Sequence, residues 1–356
     1  MKVGIPREIK PMEGRVALVP SAVADLVKAG HSVTVEQGAG RLSGYSDEDY
    51  RRAGASLAAD AASVYGGATL IVKVKEPVAD EYPLLRPDHI LFSYLHLAAV
   101  PQLAEHLVNT GLTAVAFETV MVDGELPLLA PMSDVAGRVA VQIGTTLLHR
   151  QHGGNGILLG GLPAAHRGHV VILGAGNAGG NAAILARNLG TLVTVFDRKR
   201  AKQLHMRALG DNVTALYPYH DDLARAIADA DLVIGAVLKP GARAPHIVSR
   251  EMVKSMRPGS AIVDIAVDQG GCVETTHPTD YTAPTYVEEN VTHFAVTNMP
   301  AAVPRSASQA LSAEVAPYAM LLADGELDDN PALQQGINIQ QGKVVHPAVA
   351  ESLEQS

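Results

Sequence analysis

Short runs of Val, Ile and Leu alternate with segments of helical periodicity along most of the 356-residue chain. MKVGI reads as a strand. SAVADLVKAG reads as a helix with Ser21 at its N-cap and Gly30 as its stop, and HSVTVE as the next strand. TLIVKVKEP, HILFSYLHL and TAVAFETV follow at helix-sized intervals. Such β–α alternation predicts a parallel sheet covered by helices on both faces. MSDVAGRVAVQIGTTLLHR predicts one long helix opened by Ser133, with Val135, Val139 and Ile143 on one stripe. The Gly-rich, polar stretch QHGGNGILLGGLPAAHRGH breaks the pattern, and the domain boundary is expected at or near that helix. A second β–α series then runs through HVVILG, TLVTVFD, DLVIGAV, SAIVDIAVD and HFAVTNMP. After Pro304, SQALSAEVAPYAMLLADG turns helical and is expected to pack back on the first domain.

Composition narrows the class. Hydrophobic residues make up 47% of the chain and charged residues 18%, enough for two cores. Trp is absent and Phe occurs four times, so Val, Ile, Leu and Ala fill the interior, as buried parallel strands require. The net charge of -9 leaves no basic face for nucleic acid. The one cysteine, Cys272, excludes an internal disulfide and fits a reducing compartment. No run reaches the ~18 apolar residues of a membrane span. The start MKVGIPREIK reads as a strand rather than a cleaved signal, so a cytoplasmic location is expected.

In VVILGAGNAGGNAAILARNLG the glycines Gly174, Gly176 and Gly179 have G-x-G-x-x-G spacing, and Asn177 and Ala178 stand between them. The motif follows a strand, opens a helix and precedes a second strand ending at Asp197, the context of a dinucleotide fingerprint. The first glycine allows the tight turn, the second lets a pyrophosphate reach the backbone, and the third lets helix and strand pack closely. Amides at the helix start face the phosphate charge. The Asp197 carboxylate suits two ribose hydroxyls and repels a 2′-phosphate, so NAD is expected over NADP, although Arg198 stands beside it. The architecture expected is therefore α/β, with two doubly wound parallel-sheet domains. The first comprises residues 1–130 plus 306–356. The second, 131–305, is a Rossmann dinucleotide-binding domain, with a cleft between the two.

Open α/β sheets keep ligands at the carboxyl ends of their strands. Arg15 follows the first strand. Lys75 closes TLIVKVKEP, His96 closes HILFSYLHL, Glu118 closes TAVAFETV, Asp268 ends SAIVDIAVD and Asn298 ends HFAVTN. Each has a plain structural reading: a surface arginine, a snorkelling Lys73 or Lys75, a capping glutamate, turn-forming Asp and Asn. Together they offer two cations for the carboxylate of a small acid and an imidazole for proton transfer at a carbonyl, beside a nicotinamide site.

The order GRVAL, KVKEP, YLHLA, FETV, LPLLAPMSDVAGR, GAGNAGGNAA, DLVIGAVLKPG, VDIAVDQGG, NMPAAVPRSAS resembles the alanine dehydrogenase family over most of the chain. The resemblance implies reversible NAD-dependent oxidative deamination of L-alanine to pyruvate and ammonium. It implies that Arg15 holds the substrate carboxylate, Lys75 contacts carboxylate and carbonyl oxygen, His96 is the acid/base and Asp268 is the second catalytic residue. Met132 and Ser133 would touch substrate and cofactor, Asn298 and Met299 would border the nicotinamide, and Val237, Leu238 and Ile265 would line the cofactor cleft. Lys202 would lie near the adenosine ribose. The family also implies a homohexamer.

Some features depart from the family or stay open. GLPAAHRGH differs from the linker of many relatives, and YPYHDDL lacks a serine that some place against the cofactor. The NAD-binding component of a proton-translocating transhydrogenase, an enzyme joining lysine to a 2-oxo acid, and a non-enzymatic NAD sensor are rival readings. The set Arg15, Lys75, His96, Asp268 argues against a mere hydride carrier or sensor. His149, His152, His166 and His169 have no metal-ligand spacing, so no metal is expected, and Cys272 reads as a packing residue.

Overall fold

The computed structural model describes residues 1–237 and 245–354. The chain divides into two compact units, Met1–Met132 with Val303–Ser356, and Ser133–Ala302. The first stretch holds β1 (Lys2–Ile5), β2 (Ser32–Glu36), β3 (Ser56–Ala58), β4 (Leu70–Val72), β5 (Ile90–Ser93) and β6 (Thr113–Ala116). The second unit holds β7 (His169–Leu173), β8 (Leu192–Phe196), β9 (Val213–Leu216), β10 (Leu232–Gly235), β11 (Ala261–Asp264), β12 (Thr285–Glu288) and β13 (Val291–Phe294). The returning segment adds β14 (Ile337–Gln340) and β15 (Lys343–Val344) to the first unit.

The first sheet runs β15-β14-β6-β5-β4-β1-β2-β3, and β1 to β6 pair in parallel. The second runs β12-β13-β11-β10-β7-β8-β9, again with a parallel centre. Within each, the order reverses beside the first strand of the unit, between β1 and β4 and between β7 and β10. That is the crevice in which open sheets of this kind bind ligands. The sheets are not wholly parallel: β12, β14 and β15 join antiparallel at the edges. The central strands are buried on both faces, which is why LIV, LVIG and AIVD read as unbroken apolar runs.

Two helix starts differ from expectation. The first helix is Pro20–Lys28, capped by Val19, so Pro20 takes the first helical position and Ser21 lies inside the first turn. The long helix is Ala130–Leu147, so Ser133 lies in its first turn instead of opening it. The returning helix Pro304–Asp324 does pack on the first unit. Ser308 Oγ accepts the Val16 amide at 2.9 Å, and Ser312 Oγ accepts the Val19 amide at 3.0 Å. Both amides belong to the segment just after Arg15, so the return of the chain braces it.

In the second unit the long helix meets the helix Asn177–Asn188 at Gly137, where an added Cβ would stand 2.0 Å from the Ala178 carbonyl oxygen. Gly137→Ala is expected to lower stability by about 1–3 kcal/mol through overpacking, read as a lower thermal midpoint. Gly66→Ala, with nothing within 4 Å of the new Cβ, should melt like the parent.

Candidate active site and cofactor cradle

In the first unit the candidate residues Arg15 and Lys75 stand on loops leaving β1 and β4. Arg15 is buried at 2% exposure rather than lying on the surface. Its Nε donates to Glu13 Oε1 at 2.7 Å and its Nη2 to Glu13 Oε2 at 2.5 Å, a bidentate pair that fixes the guanidinium plane. Nη1 donates to Met132 Sδ at 3.0 Å, which brings two of the expected substrate residues together. Burial acts against the Arg15 charge, but the Glu13 pair outweighs it and holds the guanidinium above its ordinary range.

Lys73 and Lys75 lie beyond β4, which ends at Val72, so neither closes a strand. They separate sharply in role. Lys73 is buried and bonds both Glu81 oxygens at 2.8 Å, with Glu8 at 3.6 Å. The Lys75 ammonium has no hydrogen bond or ion pair to another side chain among the described residues; its backbone amide donates to Glu8 Oε2 at 3.4 Å. Burial holds that ammonium below the usual lysine range. Glu76 and, more weakly, Glu13 oppose it, while Arg15 and Lys10 act in the same sense as burial. A desolvated cation without an internal partner is matched to an incoming anion.

His96 also stands beyond its strand, three residues after β5 ends at Ser93. It sits in the left-handed region at φ 49°, ψ 37°, and begins the turn Leu97–Ala99. Its side chain is 41% exposed and stacks on buried Tyr94 at 5.8 Å and 8°. Tyr94 donates to the Leu128 carbonyl at 2.5 Å. Glu118, in the turn Phe117–Thr119 after β6, accepts the His96 amide at 2.6 Å and the Leu95 amide at 3.1 Å on Oε1.

The second unit carries the cradle. Gly174 has φ +92°, open to glycine and strained for other residues, and a Cβ on Gly179 would stand 1.8 Å from the Gly174 carbonyl oxygen. Gly176 caps the helix Asn177–Asn188 with no side-chain hydrogen bond, so no cap side chain covers the first amides. Lys202 Nζ lies 3.8 Å from where a Gly176 Cβ would be, so the helix Arg200–Arg207 brings a cation to the loop. Asp197 follows β8, and its carboxylate accepts the Ala175 and Lys199 amides at 2.8 Å each. Further lone pairs remain for ribose hydroxyls. These residues fit a dinucleotide: a bare helix N-terminus, a loop no Cβ could enter, an acid at the second strand's end.

Asp264, not Asp268, ends β11, and the carboxylate of Asp264 is buried. It accepts the Ala266, Cys272 and Val273 amides at 3.0, 2.9 and 3.3 Å. Burial raises its pKa and that of the neighbouring Cys272 thiol, so Cys272 stays protonated. Asp268 lies in the following turn, Ile265–Gln269, with its side chain exposed and Ile265 half-buried. Asn298 lies four residues past β13, at φ 61°, and Met299 is buried in the next turn. Val237 is half-buried just after β10, and Ser133 is half-buried in the long helix. Leu238 lies outside the described residues.

Sequence reasoning missed Glu8, Glu13, Tyr94 and Asp264. Glu13 stands two residues from Arg15 in EGR and Tyr94 two from His96, a spacing that could have flagged them. Glu8 accepts the Val74 amide at 2.6 Å, and burial raises its carboxyl from 4.5 to about 6 against the opposing Lys73 charge. Between those pH values the folded protein keeps a proton the unfolded chain has lost. The stability Glu8 contributes by holding it is present at low pH and disappears as the pH rises through the window. Relative to Glu8→Gln, the unaltered chain should lose about 2 kcal/mol between pH 4.5 and 7 in denaturant melts. Parallel pH dependence in the two proteins would remove this assignment.

The family description "Alanine dehydrogenase/PNT, N-terminal domain" matches residues 4–136, and its C-terminal counterpart matches residues 140–347. The chain is 49% identical to alanine dehydrogenase of Bacillus subtilis, covering 99% of this chain and 95% of that one. It is 45% identical to alanine dehydrogenase of Mycobacterium tuberculosis, covering 99% and 97%. A solved L-alanine dehydrogenase superposes with a TM-score of 0.97 at 48% identity, covering 100% of this chain and 99% of that one. The transhydrogenase of Sinorhizobium meliloti superposes at 0.85 with 28% identity, covering 98% and 100%. With both domain descriptions matched in order, and relatives near half identity over almost the whole length, the chain belongs to the alanine dehydrogenase/PNT family.

Proposed function

We infer that this chain catalyses the reversible NAD-dependent oxidative deamination of L-alanine to pyruvate and ammonia. It is an NAD-dependent amino-acid dehydrogenase. The relatives at 45–49% identity carry the alanine dehydrogenase name, and the transhydrogenase neighbour stands at 28%. The single observation that carries the substrate reading is Lys75: a mostly buried ammonium, depressed by burial, with Arg15 fixed nearby by Glu13.

Bound NAD supplies the acceptor for the hydride leaving the substrate α-carbon. Arg15 and Lys75 hold the substrate carboxylate, and Lys75 also polarises the oxygen that becomes the pyruvate carbonyl. Met132, on Arg15 Nη1, faces the same substrate. Loss of hydride leaves an imino acid. Water adds to its carbon, and His96 and Asp268 pass protons between that water and the departing nitrogen. Collapse breaks the C–N bond and releases pyruvate and ammonia. In the cradle, Gly174, Gly176, Asn177, Ala178 and Gly179 receive the pyrophosphate, Asp197 and Lys202 the adenosine ribose. Asn298 and Met299 border the nicotinamide, and Ser133, Val237 and Ile265 contact the cofactor.

Among the described residues, no helix is long and apolar enough to cross a membrane. The single cysteine, free and buried, supports a cytoplasmic location. The family resemblance supports a homohexamer, for which light scattering should give about six times the 37.3 kDa chain mass; a monomer mass would overturn it.

NADH oxidation with pyruvate and ammonium should exceed that with glyoxylate or longer 2-oxo acids. No turnover with pyruvate, while NADH still binds, would sink the assignment. His96→Gln should lose most turnover and keep its NADH affinity; turnover like the parent's would return His96 to a structural part.

A further inference from the structure

His96 is held in a backbone conformation that a non-glycine residue adopts at some strain. It persists only if the surroundings over-determine it. Three contacts do so: the Ala99 amide donates to the His96 carbonyl at 2.8 Å, the ring stacks on Tyr94, and the His96 amide donates to Glu118 at 2.6 Å. The last is the shortest, and of the three it alone is made by a carboxyl side chain from another strand's end. The same carboxylate takes the Leu95 amide on both oxygens, at 3.1 and 3.2 Å. Its Oε1 lies 4.0 Å from the His96 Nδ1, beyond direct hydrogen bonding. Glu118 thus acts on the backbone that sets the ring's direction.

Glu118 is itself fixed. Its turn follows β6, which pairs in parallel with β5, so the two loops leave adjacent strands side by side. Thr119, the next residue, donates to Asn338 Oδ1 at 2.8 Å, and Asn338 is buried on β14. The antiparallel strand added by the returning segment therefore anchors the turn that anchors His96.

We propose that Glu118 is a positioning residue for proton transfer, which holds the His96 backbone in its left-handed turn so that the imidazole meets the substrate. This rests on the assignment of His96 as the acid/base. Without the carboxylate, the two amides lose their acceptor and His96 relaxes toward an unstrained backbone, which swings the ring away. A displacement of about 1 Å is enough for roughly a 100-fold loss in turnover.

The test is a double-mutant cycle on the full-length protein, with Glu118→Ala, His96→Gln and both together, each checked by thermal unfolding and NADH titration. Glu118→Ala, which leaves the Leu95 and His96 amides without their side-chain acceptor, should lower turnover with pyruvate and ammonium roughly 10- to 100-fold while its NADH affinity stays that of the parent. In the His96→Gln background the same change should cost nothing further, because its effect passes through His96. A role in stability alone lowers the folded fraction and multiplies the loss in either background; that multiplicative result overturns the proposal. If His96→Gln alone turns over like the parent, the acid/base assignment fails first, a separate outcome. Should Glu118→Ala not fold, Glu118→Asp serves: its shorter carboxylate should give a smaller loss that also vanishes beside His96→Gln.

Discussion

The bond on which the candidate residues of each unit depend is a carboxylate accepting main-chain amides just past the end of a parallel strand. Glu8 takes the amides of Val74 and Lys75, Glu118 those of Leu95 and His96, Asp264 those of Ala266, Cys272 and Val273, and Asp197 those of Ala175 and Lys199. The need arises from the sheet. Where the chain leaves a strand its amides lose their ladder partners, and a buried amide without an acceptor is expensive. A charged acceptor meets that need more strongly than a carbonyl would, and one carboxylate can serve several donors at once. The segments so held carry Lys75, His96, Asp268 and the glycine loop.

This arrangement explains how two sheets of similar strand order serve different chemistry. In each the order reverses next to the unit's first strand, and the reversal opens a crevice at the carboxyl ends. In the second unit the crevice is lined by glycines and a bare helix start, which suits phosphates. In the first the loop after β1 carries no such glycine cluster. Instead it supplies Glu8, Glu13 and Arg15, and the loop after β4 supplies Lys73 and Lys75. The sheet provides the place, and the loops decide what binds there.

The α/β class with two mostly parallel sheets, and the strand and helix on either side of the glycine loop, were legible because they rest on periodicity and spacing. Strand ends were not. ILFSYLHL continues apolar to Leu97, although the ladder stops at Ser93, because Tyr94, Leu95 and Leu97 stay buried in the turn that follows. SAIVDIAVD likewise runs past Asp264 into a buried turn around Val267. An apolar run reports burial, not hydrogen bonding, so His96 and Asp268 read as strand-terminal when they stand on turns. The amides that the anchoring acids accept were illegible for another reason, although Glu118 itself stood out at its strand's end. Glu8 lies 66 residues from the Val74 amide it accepts and Glu118 22 from His96, and no local pattern records such a pair.

Charge at the first unit's site follows from the same constraint. Among the described residues, buried Arg15 is matched by Glu13 and buried Lys73 by Glu81 and Glu8, whereas half-buried Lys75 has no ion-pair partner. Had Lys75 been matched as well, the site would be neutral before substrate arrived, and a carboxylate would have to displace an internal partner. Had Arg15 been unmatched too, two buried like charges would face each other with nothing between them, at a large desolvation penalty. Pairing Arg15 sideways with Glu13 fixes its plane and screens it from Lys75, while the Lys75 ammonium is left for the substrate. The strain of that choice is visible in Lys75 itself, whose charge is disfavoured by burial and by Arg15. A bound carboxylate relieves both, so that relief becomes part of the affinity for an anionic substrate.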